Sequence, residues 1–467
     1  MLEGLEVSEV ALSYAFNNND LFRLDSEYFQ KTFLRDELVV RKKGGQTLAA
    51  LGVELRSFGA YSLNNAVEYL DAGVPFIRGV NMKHGRVLFH DLIYINDAAN
   101  ALLWKSAVKP GMVLLSMSGT IGDAALASAS WTYPINSNQD IAKIDTQGKI
   151  SPHFLLAFLL SKFGQNYLAR EARGSVQQHV FLSQIGQFET PQFSTRFDIE
   201  IESLVNRSER SHLAATDCQA TAELCLLRNL GLESWVPLES RSYIRTSKEA
   251  FTAGRLDAEY FSPSVHGLLV RLSEDQMSVG DVAPSRHEPF KPNTSGDFDY
   301  IEIGNLRGDG TVTADQVPMR EAPSRANQFV RTGDVITSTV RPIRRLSAVV
   351  SAEQNGAVCS SGFVVLQPTH VAPEVLVTYL RLPIICQLMD LHTSASLYPA
   401  ISERDLLSLP IPRIDKKTQA AICGAVLSAR RARDQAAELL EAAKRAVEIA
   451  IEDSEAAALK YLKSVVQ

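Results

Sequence analysis

The sequence predicts an α+β fold in which two similar mixed α/β lobes are separated by two long antiparallel coiled-coil helices, as a pseudo-two-fold tandem repeat. Three observations predict this class. A seven-residue motif recurs in the second half of the chain, each copy is followed by a stretch suited to one long helix, and 467 residues exceed one ordinary core. The predicted order is a first lobe at 1–194, a central helix at 195–232, a second lobe at 233–412 and a C-terminal helix at 413–467.

The repeat is clearest near the start of each copy. Residues 23–29 read Arg-Leu-Asp-Ser-Glu-Tyr-Phe, and six of these seven residues recur 232 positions later in Arg-Leu-Asp-Ala-Glu-Tyr-Phe. We expect the aromatic pairs, Tyr28 with Phe29 and Tyr260 with Phe261, to anchor the start of each lobe on a neighbouring helix. Three weaker similarities follow in the same order, pairing 108–113 with 330–335, 151–159 with 372–380, and 182–185 with 401–404.

Each lobe is predicted to combine short buried strands with amphipathic helices. The expected strands are 111–115 and 141–144 in the first copy and 334–338 and 363–366 in the second. The expected helices are 155–170 and 374–388.

The two long helices are predicted from the absence of helix breakers and from apolar spacing. Residues 192–230 contain neither Gly nor Pro, and no Pro follows Pro412. Apolar residues recur at steps of three or four, which is typical of a helix that lies along another helix. At about 1.5 Å per residue, such helices would span roughly 50 to 70 Å. The residues that we expect to face a partner helix are Leu204, Leu213, Ile422, Val426, Leu439 and Val447.

Composition and cysteine spacing exclude several classes of protein. No stretch has the roughly 18 uncharged apolar residues of a membrane span, and the first residues carry acids rather than bases, so we expect a cytoplasmic protein. The five cysteines form no Cys-x-x-Cys pair, which favours structural thiols and no metal site.

The usual signatures of catalysis are also missing. The turn at 118–122, Ser-Gly-Thr-Ile-Gly, lacks the lysine of a phosphate-binding loop. Dinucleotide, nucleophile-elbow, zinc-protease and amino-methyltransferase motifs do not occur in the sequence. We therefore predict a non-catalytic chain that binds no cofactor of its own.

One ordered set of pieces, repeated twice with a helix after each, resembles a known family. In the first copy the pieces are a strand at 111–115, the turn at 118–122, Asn-Gln-Asp at 138–140, a helix at 152–167 and a polar loop at 174–179 ahead of a proline. The second copy offers Thr-Val-Arg-Pro at 339–342, Ser-Ala-Ser-Leu-Tyr-Pro at 394–399 and Leu-Pro-Ile-Pro at 409–412. This order is similar to the target-recognition domains of type I restriction-modification specificity subunits, over nearly the whole chain.

The resemblance implies a division of labour. The specificity subunit would have no activity, each lobe would read one half of a bipartite, asymmetric double-stranded DNA target, and the helices would dock two DNA adenine methyltransferase subunits. S-adenosylmethionine would belong to those subunits, while ATP with Mg would belong to the restriction motor-nuclease subunits that join such complexes.

The candidate DNA contacts lie on polar loops, because base edges are read by side chains that carry hydrogen-bond donors and acceptors. Gln177 and Gln178 could each present an amide to adenine, and three arginines fall within residues 341–345. The candidates are Arg78, Lys83, His84, Arg86, Ser118, Thr120, Arg173, Ser175, Gln177, Gln178, His179, Arg307, Arg341, Arg344, Arg345, Ser394, Ser396 and Tyr398.

The charge of the chain limits how DNA could be held. The net charges of residues 1–191, 192–240, 241–412 and 413–467 are −1, −4, −3 and +2, so neither lobe is basic. Affinity of the isolated chain for DNA should be weak, with much of the phosphate contact supplied by partner subunits. One alternative is a two-lobed coiled-coil scaffold that binds protein partners without DNA, and a more remote one is an enzyme with an unrecognised site.

Overall fold

A computed structural model describes residues 7–17, 23–57, 67–89, 92–174, 178–238, 240, 242–293, 295–394 and 398–465. Its helices are α1 Leu12–Asn17, α2 Lys31–Lys42, α3 Asp97–Leu102, α4 Pro152–Leu160, α5 Lys162–Glu171, α6 Leu182–Gly186, α7 Thr195–Asn229, α8 Ser247–Ala253, α9 Pro263–Leu272, α10 Val279–Val282, α11 Pro373–Arg381, α12 Pro383–Asp390, α13 Glu403–Leu407, α14 Lys416–Glu452 and α15 Glu455–Val465. Within the described ranges, no helix combines the length and the apolar composition needed to cross a membrane.

The strands are short and fall into two groups along the chain. In the first half they are β1 Gln46–Thr47, β2 Glu54–Arg56, β3 Val74–Ile77, β4 Met82–Lys83, β5 Arg86–Val87, β6 Ile93–Ile95, β7 Val113–Ser116, β8 Ala124–Leu126, β9 Asn136–Ser137, β10 Ile141–Asp145 and β11 Glu189–Thr190. In the second half they are β12 Asp297–Ile301, β13 Asp315–Pro318, β14 Ala326–Phe329, β15 Val335–Ser338, β16 Ser347–Val349, β17 Val358–Ser360, β18 Phe363–Leu366, β19 Thr393–Ser394 and β20 Ala400–Ile401.

Two compact units divide the chain. The first unit comprises Met1–His212 with Arg433–Gln467, and the second comprises Leu213–Ala432. Each unit therefore contains one copy of the repeat together with part of α7 and part of α14. The predicted α+β class, with two mixed lobes and two long helices, is confirmed.

The first unit is built on an antiparallel sheet in the order β2-β10-β7-β8, with α4 packed against β7 and β8. A second sheet has the order β6-β3-β9, with β3 and β9 parallel. The largest core joins the first sheet to the helices, and it includes Leu115, Phe158, Leu204 and Val447. Burying such a continuous apolar cluster is what stabilises the lobe together with its helical segments.

The second unit repeats this plan. Its sheet β16-β15-β18 pairs Ser338 with Phe363, as β7 and β10 pair Ser116 with Ile141 in the first unit. A second sheet, β13-β12-β17-β14, contains the parallel pair β12 and β17, the counterpart of β3 and β9. Its largest core likewise joins sheet, lobe helices and long helices.

The lobe helices differ from the prediction because each predicted helix is interrupted. The stretch 155–170 lies in α4 and α5, and Ser161 between them accepts a hydrogen bond from the backbone of Gly164. A Cβ at Gly164 would lie 2.4 Å from the Phe158 carbonyl oxygen, so this break requires glycine. The stretch 374–388 lies in α11 and α12, and Pro383, which has no N–H, begins α12.

The predicted pairing of 182–185 with 401–404 is wrong by two residues. Helices α6 and α13 have the same length, and Phe188 and Leu409 just beyond them both accept backbone hydrogen bonds, from Leu48 at 3.1 Å and from Val279 at 2.8 Å. The counterpart of Leu182 is therefore Glu403, not the Ile401 that residue similarity suggested.

The segments of α7 and α14 run antiparallel within each unit. In the first unit the Ser208 hydroxyl donates to the Ala436 carbonyl at 2.6 Å, and the backbone of Ser194 donates to Glu455 at 3.0 Å. In the second, the Asn229 amide donates to Asp415 at 3.0 Å. The region 413–467 contains two helices rather than one, because the Ser454 hydroxyl accepts from the Ala457 backbone and begins α15.

Five of the six predicted helix-contact residues pack inside a unit. Leu204, Leu439 and Val447 are in the core of the first unit, and Ile422 and Val426 pack in that of the second. The prediction that Leu213 faces a partner helix is wrong, because its side chain is 39% exposed. It lies five residues after the inward-facing Ser208, which turns it about 140° away, whereas Ala215 falls on the buried face.

The repeated motif makes the same contacts in both lobes, and its arginine, rather than the aromatic pair to which the prediction gave this role, holds it at the end of a lobe helix. Arg23 binds Asp25 through two nitrogens at 2.7 Å and donates to the carbonyl of Arg170 in α5 at 2.7 Å. Arg255 binds Asp257 in the same way, at 2.7 Å, and donates to the Leu391 carbonyl at 2.6 Å. In both copies the tyrosine and phenylalanine rings meet edge to face, at 5.1 Å and 5.0 Å.

Candidate nucleic-acid interface

In the first unit, the structure brings together the turn at 118–122 and the polar loop at 173–179. Arg173 and His179 exchange both backbone hydrogen bonds, at 3.0 and 2.6 Å, so the two ends of the loop lie side by side. Ser118 pairs with His179 in a β-bridge, and its hydroxyl donates to the Gln178 carbonyl at 3.5 Å. Gln178 is exposed. Ser175 and Gln177 lie outside the described residues.

Arg78 belongs to the same tip. The Thr120 hydroxyl donates to the carbonyl of Gly79 at 3.5 Å, and a Cβ on Gly79 would lie 3.3 Å from the Ser116 hydroxyl. The backbone of Arg78 is fixed by a hydrogen bond to the Asn81 amide oxygen at 3.0 Å. Arg78, Ser118, Thr120, Gln178 and His179 are thus neighbours, although they come from three separate stretches of sequence.

Arg173 has an unusual environment at the base of the loop. Its Nε and Nη2 atoms are buried and have no hydrogen-bond partner among the described residues. A buried donor left unsatisfied costs about 1–3 kcal/mol.

The hairpin that carries Lys83, His84 and Arg86 packs on the long helices of its unit. Arg86 donates to the hydroxyl of Ser208 in α7 at 3.0 Å. Gly85 approaches α14 so closely that a Cβ there would lie 2.5 Å from Leu440. This packing favours a structural role for Arg86 over the DNA contact that its charge suggested, because a partner on α7 already engages its guanidinium.

Lys83 and His84 lie at the tip of that hairpin and are exposed. His84 adopts the left-handed conformation, with φ of 52°. Lys83 attracts the carboxylate of Asp123, which directly follows the 118–122 turn. Burial raises the pKa of Asp123, while the Thr120 hydroxyl and Lys83 act in the opposite direction.

The second unit has the same junction at the equivalent positions. Val340 and Ala400 form the β-bridge that corresponds to Ser118 and His179, and the backbone of Arg341 donates to the Pro399 carbonyl at 2.8 Å. The Arg341 guanidinium lies 5.4 Å from the centre of the exposed Tyr398 ring. Ser394 pairs with Ala400 between β19 and β20. Arg341, Ser394 and Tyr398 are thereby brought together, and Ser396 lies outside the described residues.

The other arginines of this unit separate into exposed and anchored side chains. Arg344 is exposed. Arg345 binds Glu223 of α7 at 2.6 Å and donates to the Arg381 carbonyl at 2.6 Å, so it is anchored as Arg86 is in the first unit. Arg307 is exposed in a turn whose backbone closes between Arg307 and Thr311 at 2.9 Å. Buried Arg381 donates to Gly308 in this turn and to the carbonyl of Arg345, which links the two basic turns.

Sequence reasoning missed Phe181. Its side chain is 51% exposed, and its ring meets that of His179 edge to face at 4.7 Å. A phenylalanine directly after a polar loop gives no signal in the sequence, because the same residue could equally begin a buried helix.

In the parts of the chain that the structure describes, no three His, Cys, Asp or Glu side chains are arranged so that they could hold a metal ion. All five cysteines are free, and Cys359 and Cys386 are buried. Burial raises the pKa of the Cys359 thiol to about 12, consistent with a packing role for this side chain.

Three solved structures are similar to this chain. A type I restriction-modification system S subunit from M. genitalium is 12% identical, with 90% of this chain and 95% of that chain covered and a TM-score of 0.39. The HsdS subunit from Thermoanaerobacter tengcongensis is 15% identical, with coverage of 88% and 96% and a TM-score of 0.29. A third, described as the structural basis underlying complex assembly and conformational transition of the type I R-M system, is 15% identical, with coverage of 90% and 96% and a TM-score of 0.26.

No family model and no curated protein matches the sequence. At these identities and TM-scores, similarity to the three structures does not indicate a function for this chain.

Proposed function

We propose that this chain is the sequence-specific DNA-recognition subunit of a type I restriction-modification complex. Each unit would read one half of a bipartite, asymmetric target. One observation carries the proposal: the same junction of turn and loop is built twice, at Ser118 with His179 and at Val340 with Ala400, and carries different side chains each time. A shared frame with different tips is what reading two unlike half-sites requires.

The side chains at the two tips have suitable chemistry for reading bases. The first tip carries amide, hydroxyl and imidazole groups on Gln178, Thr120 and His179, which can donate to and accept from base edges in the major groove. The second carries Arg341 beside Tyr398 and the exposed Arg344. Guanidinium groups favour guanine or phosphate, so the second half-site should differ from the first.

The charge balance supports a subunit rather than a free-standing DNA binder. Neither half of the chain is basic, and Arg86 and Arg345 are engaged by α7 within their units. Fewer phosphates would then be neutralised by this chain alone, and affinity and its salt dependence should both be low. Partner subunits that close around the duplex would supply the remaining contacts.

The long helices are the proposed dock for two adenine methyltransferase subunits. Their inner faces are filled by lobe residues, while Ile199, Leu224 and Leu427 remain exposed on α7 and α14. Exposed large apolar side chains on a helix favour contact with another protein. In such a complex S-adenosylmethionine would be bound by the methyltransferases, and ATP with Mg by any restriction subunit.

The test is to co-express the chain with its methyltransferase and map methylated adenines after replacing residues 173–179. We expect the half-site read by the first unit to change and the other half to persist. A motif that stays the same in both halves would contradict the assignment of this loop. Retained methylation at the unaltered half would show that the complex still assembles.

A further inference from the structure

The first unit contains a cavity of about 300 Å³. It lies among α2, α5 and α6 and is walled by aromatic side chains. Two of these rings are in close tilted contact, since the Tyr167 and Phe188 ring centres are 4.3 Å apart and the ring planes meet at 53°. The aromatic lining residues are Tyr28, Phe33, Phe158, Phe163, Tyr167 and Phe188.

The charged lining of the cavity is predominantly acidic. Four carboxylates and two guanidiniums reach it, from Asp36, Glu37, Glu171, Glu189, Arg41 and Arg170. The arginines are engaged by two of the acids. Arg41 binds Glu37 at 2.6 Å and Glu189 at 2.9 Å, and Arg170 binds Glu37 at 2.8 Å.

The other two carboxylates are buried, and their arginine neighbours lie outside the cavity lining. Asp36 and Glu171 are each only 6% exposed. Asp36 accepts from the Asn166 amide at 2.8 Å, and its arginine neighbour Arg35 is 3.3 Å away on a side chain that is 68% exposed. Glu171 accepts from the Gln184 amide at 2.8 Å. Each of the two carboxylates thus combines a neutral donor at 2.8 Å with an arginine from outside the cavity lining, Arg35 for Asp36 and Arg23 for Glu171.

The second copy shows that the fold does not need these charges. The buried positions of α2 and α9 correspond, so that Asp36 and Val40 are replaced by Leu268 and Leu272. The helices α5 and α12 correspond through the carbonyls of Arg170 and Leu391, which accept from the repeated arginine. Tyr167 and Glu171 are thus replaced by Leu388 and His392.

Three of these four replacements are aliphatic, and the fourth is a histidine. Leu268, Leu272 and Leu388 are all buried in the main core of the second unit. Replacing a buried ionic cluster with apolar residues of similar volume is often neutral or stabilising. The second copy thus folds without Asp36 and Glu171, so the frame of the lobe does not require this acidic lining.

We propose that this cavity binds a small organic cation, with the charged head near Asp36 and Glu171 and the apolar body against the aromatic walls. A cation–π contact of this kind already exists in the unit, because the Arg170 guanidinium lies 4.0 Å from the centre of the Tyr28 ring. Aromatic faces and carboxylates together favour an ammonium or guanidinium over a neutral or anionic molecule. The site does not depend on the proposed role in DNA recognition.

The experiment uses the full chain and three probes of similar size: benzylammonium, benzyl alcohol and benzoate. Calorimetric titration should show saturable binding of benzylammonium, with the alcohol and the carboxylate at least tenfold weaker. Absence of benzylammonium binding, or equal binding of benzoate, would overturn the proposal without any variant having to fold.

Variants then locate the site. Asp36→Asn and Glu171→Gln keep the side-chain volume and remove one charge each, and each should weaken benzylammonium binding at least tenfold. The matched control is Glu27→Gln, an exposed carboxylate of the same unit, which should leave the affinity unchanged. Benzylammonium affinity that is the same in all three variants would place binding elsewhere and reject the cavity.

Discussion

The ammonium group of Lys143 donates to the hydroxyl of Ser137 at 3.0 Å inside the core of the first unit. Its other partner, the Ile141 carbonyl at 3.0 Å, is also neutral. The strand pairings place Val365 and Cys359 at the equivalent positions of the second unit. One copy of the fold thus buries a polar pair where the other buries an apolar pair.

This difference predicts a pH dependence of stability. Burial lowers the pKa of Lys143 to about 7 from the ordinary value of 10.5. Between these values the unfolded chain holds a proton that the folded chain lacks, so the free energy of unfolding should rise with pH by up to about 1.4 kcal/mol per unit. The contribution is lost as the pH falls towards 7 and is constant below it.

Lys143→Met tests this prediction, since it keeps the apolar stem and removes the titrating group. Urea unfolding at pH 7 and pH 9 should show a smaller increase of stability in the variant than in the parent chain. Equal increases in the two proteins would mean that the buried amine does not titrate in this window.

A second prediction concerns the hairpin that packs on α14. Gly85 has φ of 77°, and a Cβ there would lie 2.5 Å from Leu440 and 3.1 Å from Leu160. Gly85→Ala should lower the free energy of unfolding by about 2–4 kcal/mol, from backbone strain and overpacking together.

The control for this substitution is Gly111→Ala. Gly111 has φ of 81° but nothing within 4 Å of the added methyl group, so only the backbone strain remains, about 1 kcal/mol. Denaturant unfolding measures both variants. If Gly111→Ala were as destabilising as Gly85→Ala, contact with α14 would not be what requires glycine at position 85.

The sequence predicted more of the fold than of the candidate site. The motif at 23–29 and its copy at 255–261 were sufficient to predict two lobes, because duplicated side chains make duplicated contacts, as Arg23 and Arg255 show. Helix interruptions were harder to see. Only the contact of Gly164 with the preceding turn shows why α4 ends where it does.

Only part of the candidate site was predicted. The reason is that the charge of an arginine does not say what its side chain contacts. Arg344 and Arg345 are adjacent in sequence, yet one is exposed and the other binds Glu223, more than a hundred residues away. Phe181 was missed for the converse reason, since an apolar residue gives no warning that it is exposed. Tertiary packing decides both cases.

A third prediction separates these two arginines. Arg344→Ala should leave stability unchanged and weaken DNA binding by the assembled complex, with the slope of log affinity against log salt smaller by about one. Arg345→Ala should instead lower the free energy of unfolding by about 1–3 kcal/mol, because Glu223 loses its partner. Salt titrations of DNA binding and denaturant unfolding of both variants check this. A reduced salt slope in Arg345→Ala alone would reverse the assignment.

The last prediction concerns Phe181, which occupies the position just before α6. In the second unit the same position is Ser402, whose hydroxyl accepts from the backbone of Asp405 at 3.1 Å and caps α13. Phenylalanine cannot cap in this way, so Phe181→Ser should preserve or raise stability, by up to about 1 kcal/mol. If the first unit reads one half-site, as proposed, the exposed ring beside His179 is placed to contact a thymine methyl group there. In the co-expressed complex, mapping of methylated adenines should then show relaxed preference in that half-site only. An unchanged motif with intact stability would assign Phe181 to the protein surface, and loss of methylation at both halves would indicate a defect in assembly.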